Sequence, residues 1–303
     1  GARFDFGANY FKLESPGQER LVLGELPQDD LVRIAAEVWT FDARGKIEPG
    51  DPVQNREARW TYGGGISTLG KLLAAAAQCA VHRQCRITGL QRQGGRWALT
   101  SEPAGETRGK LFDAVLLTVP GPQAMTLLAG SALGEASADD FVRALAQARY
   151  HGQLCFALGF REPVQRPQNC FALINRDRAH DIAWLSFEND KPRRELGGHT
   201  VMMVQMSPDW SARHLEQAPA GLVEYAAESA LAVLAQPPRR PDWFDSHRWA
   251  DAHPWQAADR GPLQAGARSG LHFAGDALVG KGRIGETLQT GLDAAEQILA
   301  GSC

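Results

Sequence analysis

One stretch near the C-terminus constrains the chain more than any other. It reads Leu271-His-Phe-Ala-Gly275-Asp276, then Ala-Leu-Val-Gly280-Lys-Gly282-Arg283-Ile284-Gly285-Glu-Thr287, then an apolar run to Leu299. The pattern predicts a short buried strand, a glycine-rich turn and a helix. Such an arrangement directs backbone N–H groups and a helix N-terminus at an anionic group. By letters, Gly280-Lys-Gly282-Arg-Ile-Gly285 is a G-x-G-x-x-G between strand and helix. A dinucleotide fingerprint also needs a following strand with an acidic residue about 20 positions on. Only 18 residues follow Gly285, and they read as one helix. The glycines are therefore expected to be turn geometry.

At 303 residues the chain is long enough for two lobes. Its net charge of −3 gives no footprint for nucleic acid or a membrane surface. No apolar run approaches the roughly 18–20 residues of a spanning helix, and no secretory leader is visible. Five irregularly spaced cysteines (Cys79, Cys85, Cys155, Cys170, Cys303) include no Cys-x-x-Cys, and no His-x-x-x-His occurs. No metal site is expected, and scattered free thiols suit a cytoplasmic protein.

Along the chain, Arg3 to Phe11 reads as strand and turn, with Phe4 and Phe6 on one face. Leu31, Ile34, Ala35 and Val38 stand at helical spacing, so a helix is expected within 21–41. Residues 46–59 read as loop. Trp60-Thr-Tyr62-Gly-Gly-Gly65-Ile-Ser67 predicts a glycine turn, and Ser67 is the expected N-cap of a helix over 68–78. Residues 85–90 and 96–101 are expected strands joined at Gln93-Gly-Gly. Phe112 to Val119 is a continuous apolar run, expected to be a strand buried on both faces, ended by Pro120-Gly-Pro122. Helices are expected from Gln123, over 141–149 and over 222–234. Strands are expected at 151–160, 171–174, 182–187, 200–206 and 246–250. Ser207-Pro-Asp-Trp210-Ser reads as a turn, 261–270 as loop, and Arg193-Arg194 and Arg239-Arg240 as solvated loop charges.

Several stretches together resemble the flavin-containing amine oxidase superfamily. Phe273-Ala-Gly275-Asp276 with Gly282-Arg-Ile-Gly-Glu-Thr-Leu-Gln-Thr-Gly291 is similar to its C-terminal FAD motif. Asp5-Phe-Gly7-Ala8-Asn9-Tyr10-Phe11 resembles the segment passing the isoalloxazine ring. Tyr62-x-Gly64-Gly65 with Leu69-x-x-Leu72, the strand at Arg86, and the run from Phe112 to Pro120 follow in the family's order. Within the superfamily the likeness is to the bacterial renalase-like branch, through Pro120-Gly-Pro-Gln123, Asp190-Lys-Pro-x-Arg194, Ser207-Pro-Asp-Trp-Ser211 and His247-Arg-Trp249.

The resemblance implies an α/β fold: an FAD/NAD(P)-binding Rossmann-like domain interleaved with an antiparallel-sheet α+β substrate domain. The first would comprise 1–12, 60–125 and 269–303, the second 13–59 and 126–268. The family's own G-x-G-x-x-G and Gly-Gly-Arg would precede Gly1, so the nucleotide-binding domain is expected to be incomplete. FAD is the implied cofactor. Implied contacts are Asp5, Gly7, Ala8, Asn9, Tyr10, Gly64, Gly65, Arg86 (through its backbone), Pro120, Gly275, Asp276, Arg283, Ile284, Gly285 and Thr287. Trp249 and Arg248 are the implied substrate contacts, and no catalytic residue is assigned. Asn9 stands where a renalase is expected to carry Gln. Cys155 falls where many amine oxidases carry a lysine near flavin N5, and a thiol cannot supply that ammonium.

The residues leave alternatives open. Asp276 either binds flavin or caps the next turn. Asp5 either serves the cofactor or stabilises its own turn. Tyr10 and Trp249 either wall a ligand or pack, and Arg248 either meets a substrate phosphate or carboxylate or faces solvent. Cys155 fits a core position, and His151 and His247 read as structural. The implied activity is oxidation of a dihydronicotinamide dinucleotide isomer, with hydride passing to flavin and O2 as acceptor. The alternatives are an amine oxidase or desaturase on the same fold, and a non-catalytic fragment unable to hold FAD.

Overall fold

A computed structural model describes residues 2–103, 105, 107–134 and 138–301. Gly1 and Cys303, the outer bounds of the expected nucleotide-binding domain, lie outside the described residues. The fold is mixed α/β and divides into two compact units. One comprises Gly1–Ala77 and Gly152–Ala252, the other Gln78–His151 and His253–Cys303.

The first unit is built on a seven-stranded mixed sheet. Its strand order is Trp243–Gln256, Arg149–Phe160, Thr200–Met206, Ile182–Phe187, Cys170–Asn175, Glu37–Phe41 and Ile47–Glu48, the first two strands contributing residues 243–252 and 152–160 to this unit. The central pairs are antiparallel, while Cys170–Asn175 and Glu37–Phe41 run parallel. The inner strands read as continuous apolar runs because both faces are covered. Leu154, Phe156, Leu158 and Phe160 face one core with Met202, Val204 and Leu185. Helix Val223–Val233 closes that face, burying Val223, Ala226, Ala227, Ala230 and Leu231 at helical spacing. The alternate residues Cys155, Ala157 and Met203 face the other side, where Phe4, Phe6 and Trp243 pack on them. The N-terminal segment thus lies across a sheet face as a strap. It bends at Phe6-Gly7 instead of forming a strand, and Phe11 bridges to Trp60.

Several expectations in this unit need correction. Residues 31–41 form two strands, Leu31–Ile34 and Glu37–Phe41, preceded by short helical turns over Pro16–Glu25. Val32, Ile34, Val38 and Thr40 are β-branched and find partner strands at Arg59–Tyr62 and Cys170–Asn175, which overrides the local helical spacing. Ser207 does not sit in a turn: its hydroxyl accepts from Trp210 N–H and caps helix Pro208–His214, with Pro208 at the first position. Ser67 makes no such bond, because its own backbone is already helical. The expected short strand at 246–250 extends over Trp243–Gln256, and 46–59 contains helix Pro52–Arg56.

The second unit holds a three-stranded antiparallel sheet, Arg86–Gln93, Arg96–Glu102 and Leu111–Phe112, and a parallel pair, Val115–Leu117 with Leu271–Phe273. Gly94 and Gly95 both have positive φ (56° and 83°), as a two-residue hairpin turn with right-handed strand twist requires. The run 112–119 is not one strand buried on both faces. Leu117 is buried, whereas Leu116 and Val119 are exposed, because the pair leaves one face uncovered. Residues 261–270 form helix Arg260–Ala265 and a 3-10 turn instead of a loop. Trp97, Leu128, Leu145, Leu263 and Leu271 centre the core. Helix Ile284–Gly301 follows the glycine turn as expected. Among the described residues, no helix is long and apolar enough to cross a membrane.

Candidate functional site

In the first unit the strap is held residue by residue. Asp5, nearly buried, accepts from Ile66 N–H (2.9 Å) and Lys191 Nζ (3.2 Å), and pairs with Arg194. Lys191 is fully buried and also meets Glu188 Oε1 at 2.6 Å and Asn9 Oδ1 at 3.3 Å. Arg194 Nε lies 3.6 Å from Glu188, so two carboxylates and two cations form one buried cluster. Burial pushes the Glu188 carboxyl above its ordinary range, against the pull of Lys191 and Arg194. Arg194 is therefore a buried ion-pair partner, not a solvated loop charge. Arg193 is exposed and donates to Asp29 O, while Arg239 pairs with Glu162 and Arg240 with Glu224.

Asn9 accepts from Ser186 Oγ at 3.0 Å, and Tyr10 packs near Phe171 and Trp184. Gln205 Nε2 donates to Phe6 O (3.2 Å) and Gly7 O (2.7 Å). The Trp249 indole lies against Gly7, where a Cβ would come within 3.4 Å of it, and Ala8 is exposed. Burial raises the Cys155 thiol pKa and keeps it protonated; burial also pushes Cys170 up to about 12.

Gly64 and Gly65 do not present free donors. Gly64 N–H donates to Asp30 Oδ2 at 2.7 Å and Gly65 N–H to Tyr62 O at 3.0 Å. The Asp30 carboxylate is seated in the glycine turn: a Cβ at Gly63 would stand 2.6 Å from its Oδ1. Strand alternation separates the two expected substrate residues. Trp249 faces Gly7, whereas Arg248 reaches Gln217 O and Glu216.

In the second unit Tyr150 joins two expected contact points. Its hydroxyl donates to Asp276 Oδ1 at 2.8 Å and accepts from Gly121 N–H at 3.3 Å, next to Pro120. Gly275 has φ 112° and donates to Thr290 Oγ1 at 2.8 Å. Gly280 and Gly282 allow a close approach: added Cβ atoms would stand 2.6 Å from Ala257 N and 2.9 Å from His253 Nδ1. Thr287 N–H already donates to Arg283 O, and Gly285 is buried in the first helical turn. The Arg283 and Arg86 side chains are exposed. Burial, reinforced by Arg283 and His151, lowers the His253 pKa against the opposing charge of Asp276, so the ring is neutral at neutral pH.

Glu188, Ser186, Gln205 and Tyr150 were not singled out in the sequence, and Lys191 and Thr290 stood only inside the stretches 190–194 and 282–291. Only Glu188-x-x-Lys191-x-x-Arg194 carried a local spacing signal, one acidic and two basic side chains at every third residue. Replacing Tyr150 with phenylalanine is expected to cost about 1–2 kcal/mol, one hydrogen bond to a carboxylate. Urea unfolding measures it; unchanged stability would show that water replaces the phenol without loss.

A family model described as "Flavin containing amine oxidoreductase" matches residues 26–299. Among solved structures, the chain resembles a candidate protoporphyrinogen oxidase from Exiguobacterium sp. 255-15 (17% identity, TM-score 0.63, covering 82% of this chain and 53% of that one). It also resembles cyclohexylamine oxidase from Brevibacterium oxydans IH-35A (17%, 0.59, 81% and 55%) and a reduced UDP-galactopyranose mutase (13%, 0.60, 82% and 55%). The chain thus spans about half the length of each. At these identities the likenesses show the shared fold.

Proposed function

The chain belongs to the family of flavin-containing amine oxidoreductases, and on that premise we propose that it is an FAD-dependent oxidoreductase of the renalase-like kind. Its proposed substrate is a dihydronicotinamide dinucleotide isomer and its proposed electron acceptor is O2. The observation that carries the flavin assignment is the strap. Its carbonyls at Phe6 and Gly7 are bound from the sheet side, while the N–H groups of Gly7 and Ala8 have no acceptor among the described residues. That donor pair fits the acceptor-rich edge of a flavin ring. Within the second unit, the start of helix Ile284–Gly301 suits an anionic group, while the Asp276 carboxylate suits a hydroxyl donor, as it already accepts from Tyr150. The Gly64 turn does not fit, since Asp30 already occupies its donor.

FAD, when bound, supplies an acceptor for hydride that O2 can reoxidise with release of H2O2. The chain's own residues position the reactants. The strap holds the ring edge, and the half-exposed Trp249 indole offers the substrate an aromatic surface beside Gly7. Cys155, kept as a neutral thiol, supplies neither a cation nor a base. That supports a substrate whose carbon already carries a transferable hydride, over an amine that must first be deprotonated.

The test is a purified, FAD-supplied protein assayed for H2O2 with dihydronicotinamide isomers and with primary amines. Turnover of the isomers alone is expected. Turnover of amines alone would overturn the substrate assignment in favour of amine oxidation.

A further inference from the structure

We propose that Gln205 is a positioning residue that fixes the backbone N–H groups of Gly7 and Ala8 as a paired donor for the flavin ring edge. The inference rests on the flavin reading above and assigns the residue that builds that part of the site.

Gln205 lies on strand Thr200–Met206, near the middle of the sheet, and is nearly buried. Its Nε2 donates to both Phe6 O (3.2 Å) and Gly7 O (2.7 Å), one carboxamide nitrogen using both of its protons. Two carbonyl acceptors leave only one orientation of the carboxamide. The peptide bonds after Phe6 and Gly7 are trans, since the one cis bond among the described residues is Glu102–Pro103. In a planar trans peptide the N–H points opposite to the C=O. Fixing the Phe6 carbonyl therefore fixes Gly7 N–H, and fixing the Gly7 carbonyl fixes Ala8 N–H. Both N–H groups point away from Gln205, on the side of the strap opposite the sheet.

The ends of the strap are fixed independently. Asp5 is held by Lys191, Arg194 and Ile66 N–H, and Asn9 by Ser186 and Lys191. Loss of Gln205 would leave those anchors in place; Gly7 O would keep its longer bond from Asn9 Nδ2 (3.3 Å), while Phe6 O would lose its side-chain donor. Trp249 backs Gly7 closely, so rotation of these peptides is limited by packing as well. Two parallel donors from adjacent residues suit an acceptor atom pair, or one atom gaining negative charge, which is the character of a flavin edge on reduction.

The test uses the full chain with FAD and compares wild type, Gln205→Met and Gln205→Glu. Methionine keeps the length and removes both donors. Its expected effects are about tenfold weaker FAD binding, a shifted flavin absorbance band, and loss of hydrogen-exchange protection at the Gly7 and Ala8 amides of the loaded protein. Glutamate donates only when protonated, so the FAD affinity of Gln205→Glu should rise as pH falls, relative to wild type. A merely structural role would not produce that pH profile. Wild type that binds FAD, with Gln205→Met equal to it in affinity and amide protection, would overturn this inference and leave the function standing. Wild type that binds no FAD would overturn both.

Discussion

Replacing Lys191 with methionine is expected to cost about 3–5 kcal/mol of folding stability, the largest effect of any single substitution considered. The ammonium is fully buried and serves Asp5, Glu188 and Asn9 at once. Without it, two buried carboxylates share one guanidinium. Methionine fills nearly the same space, so the loss comes from uncompensated charge and not from a cavity. The pH dependence has a definite sign. Burial raises the Glu188 pKa in the folded protein, so the folded state binds its proton more tightly than the unfolded chain. Stability from this group is therefore lost as pH rises through the raised value. Removing Lys191 raises it further, so the deficit of Lys191→Met should be largest at neutral pH and shrink on acidification. Adding Glu188→Gln should recover part of it. Urea unfolding across pH measures both effects; a deficit independent of pH would mean that Glu188 is not its source.

Gly280→Ala is the second. Gly280 sits at φ +70°, and a Cβ there would stand 2.6 Å from the backbone nitrogen of Ala257, which cannot swing aside as a flexible side chain would. Conformational strain and overpacking together should cost about 2–4 kcal/mol. Gly291→Ala is the control. It lies within helix Ile284–Gly301 with nothing within 4 Å of an added Cβ, and alanine there should stabilise by about 0.5–1 kcal/mol. Thermal or urea unfolding distinguishes them. Equal effects would mean that the glycine turn is not closely packed on its own unit.

The C-terminal glycines were read as turn geometry, and Gly280 indeed takes φ +70° close against Ala257. The apolar runs of the large sheet were legible because strands covered on both faces lack alternation. Leu31 to Phe41 was not, since a local window shows helical spacing while the deciding partners lie at Tyr62 and Cys170. The site was only partly readable for the same reason. Resemblance pointed to Asp5 and Asn9, but Lys191 is 186 residues from Asp5, and no spacing rule connects them. The structure shows these two side chains holding the strap in place, and the N–H groups of Gly7 and Ala8 have no acceptor among the described residues. Asp276 was found by motif, whereas Tyr150, which holds it, stands 126 residues away. The resemblance named Trp249 and Arg248 together, but neighbours on a strand face opposite ways.

The central claim is that this chain holds FAD. Titration of the purified protein with FAD, followed by dialysis and a visible spectrum, tests it directly. The expected result is quenched flavin fluorescence, retention of the flavin's visible absorbance after dialysis, and bleaching of that band by a dihydronicotinamide isomer under anaerobic conditions. A folded protein that emerges colourless, with no saturable quenching, would contradict it.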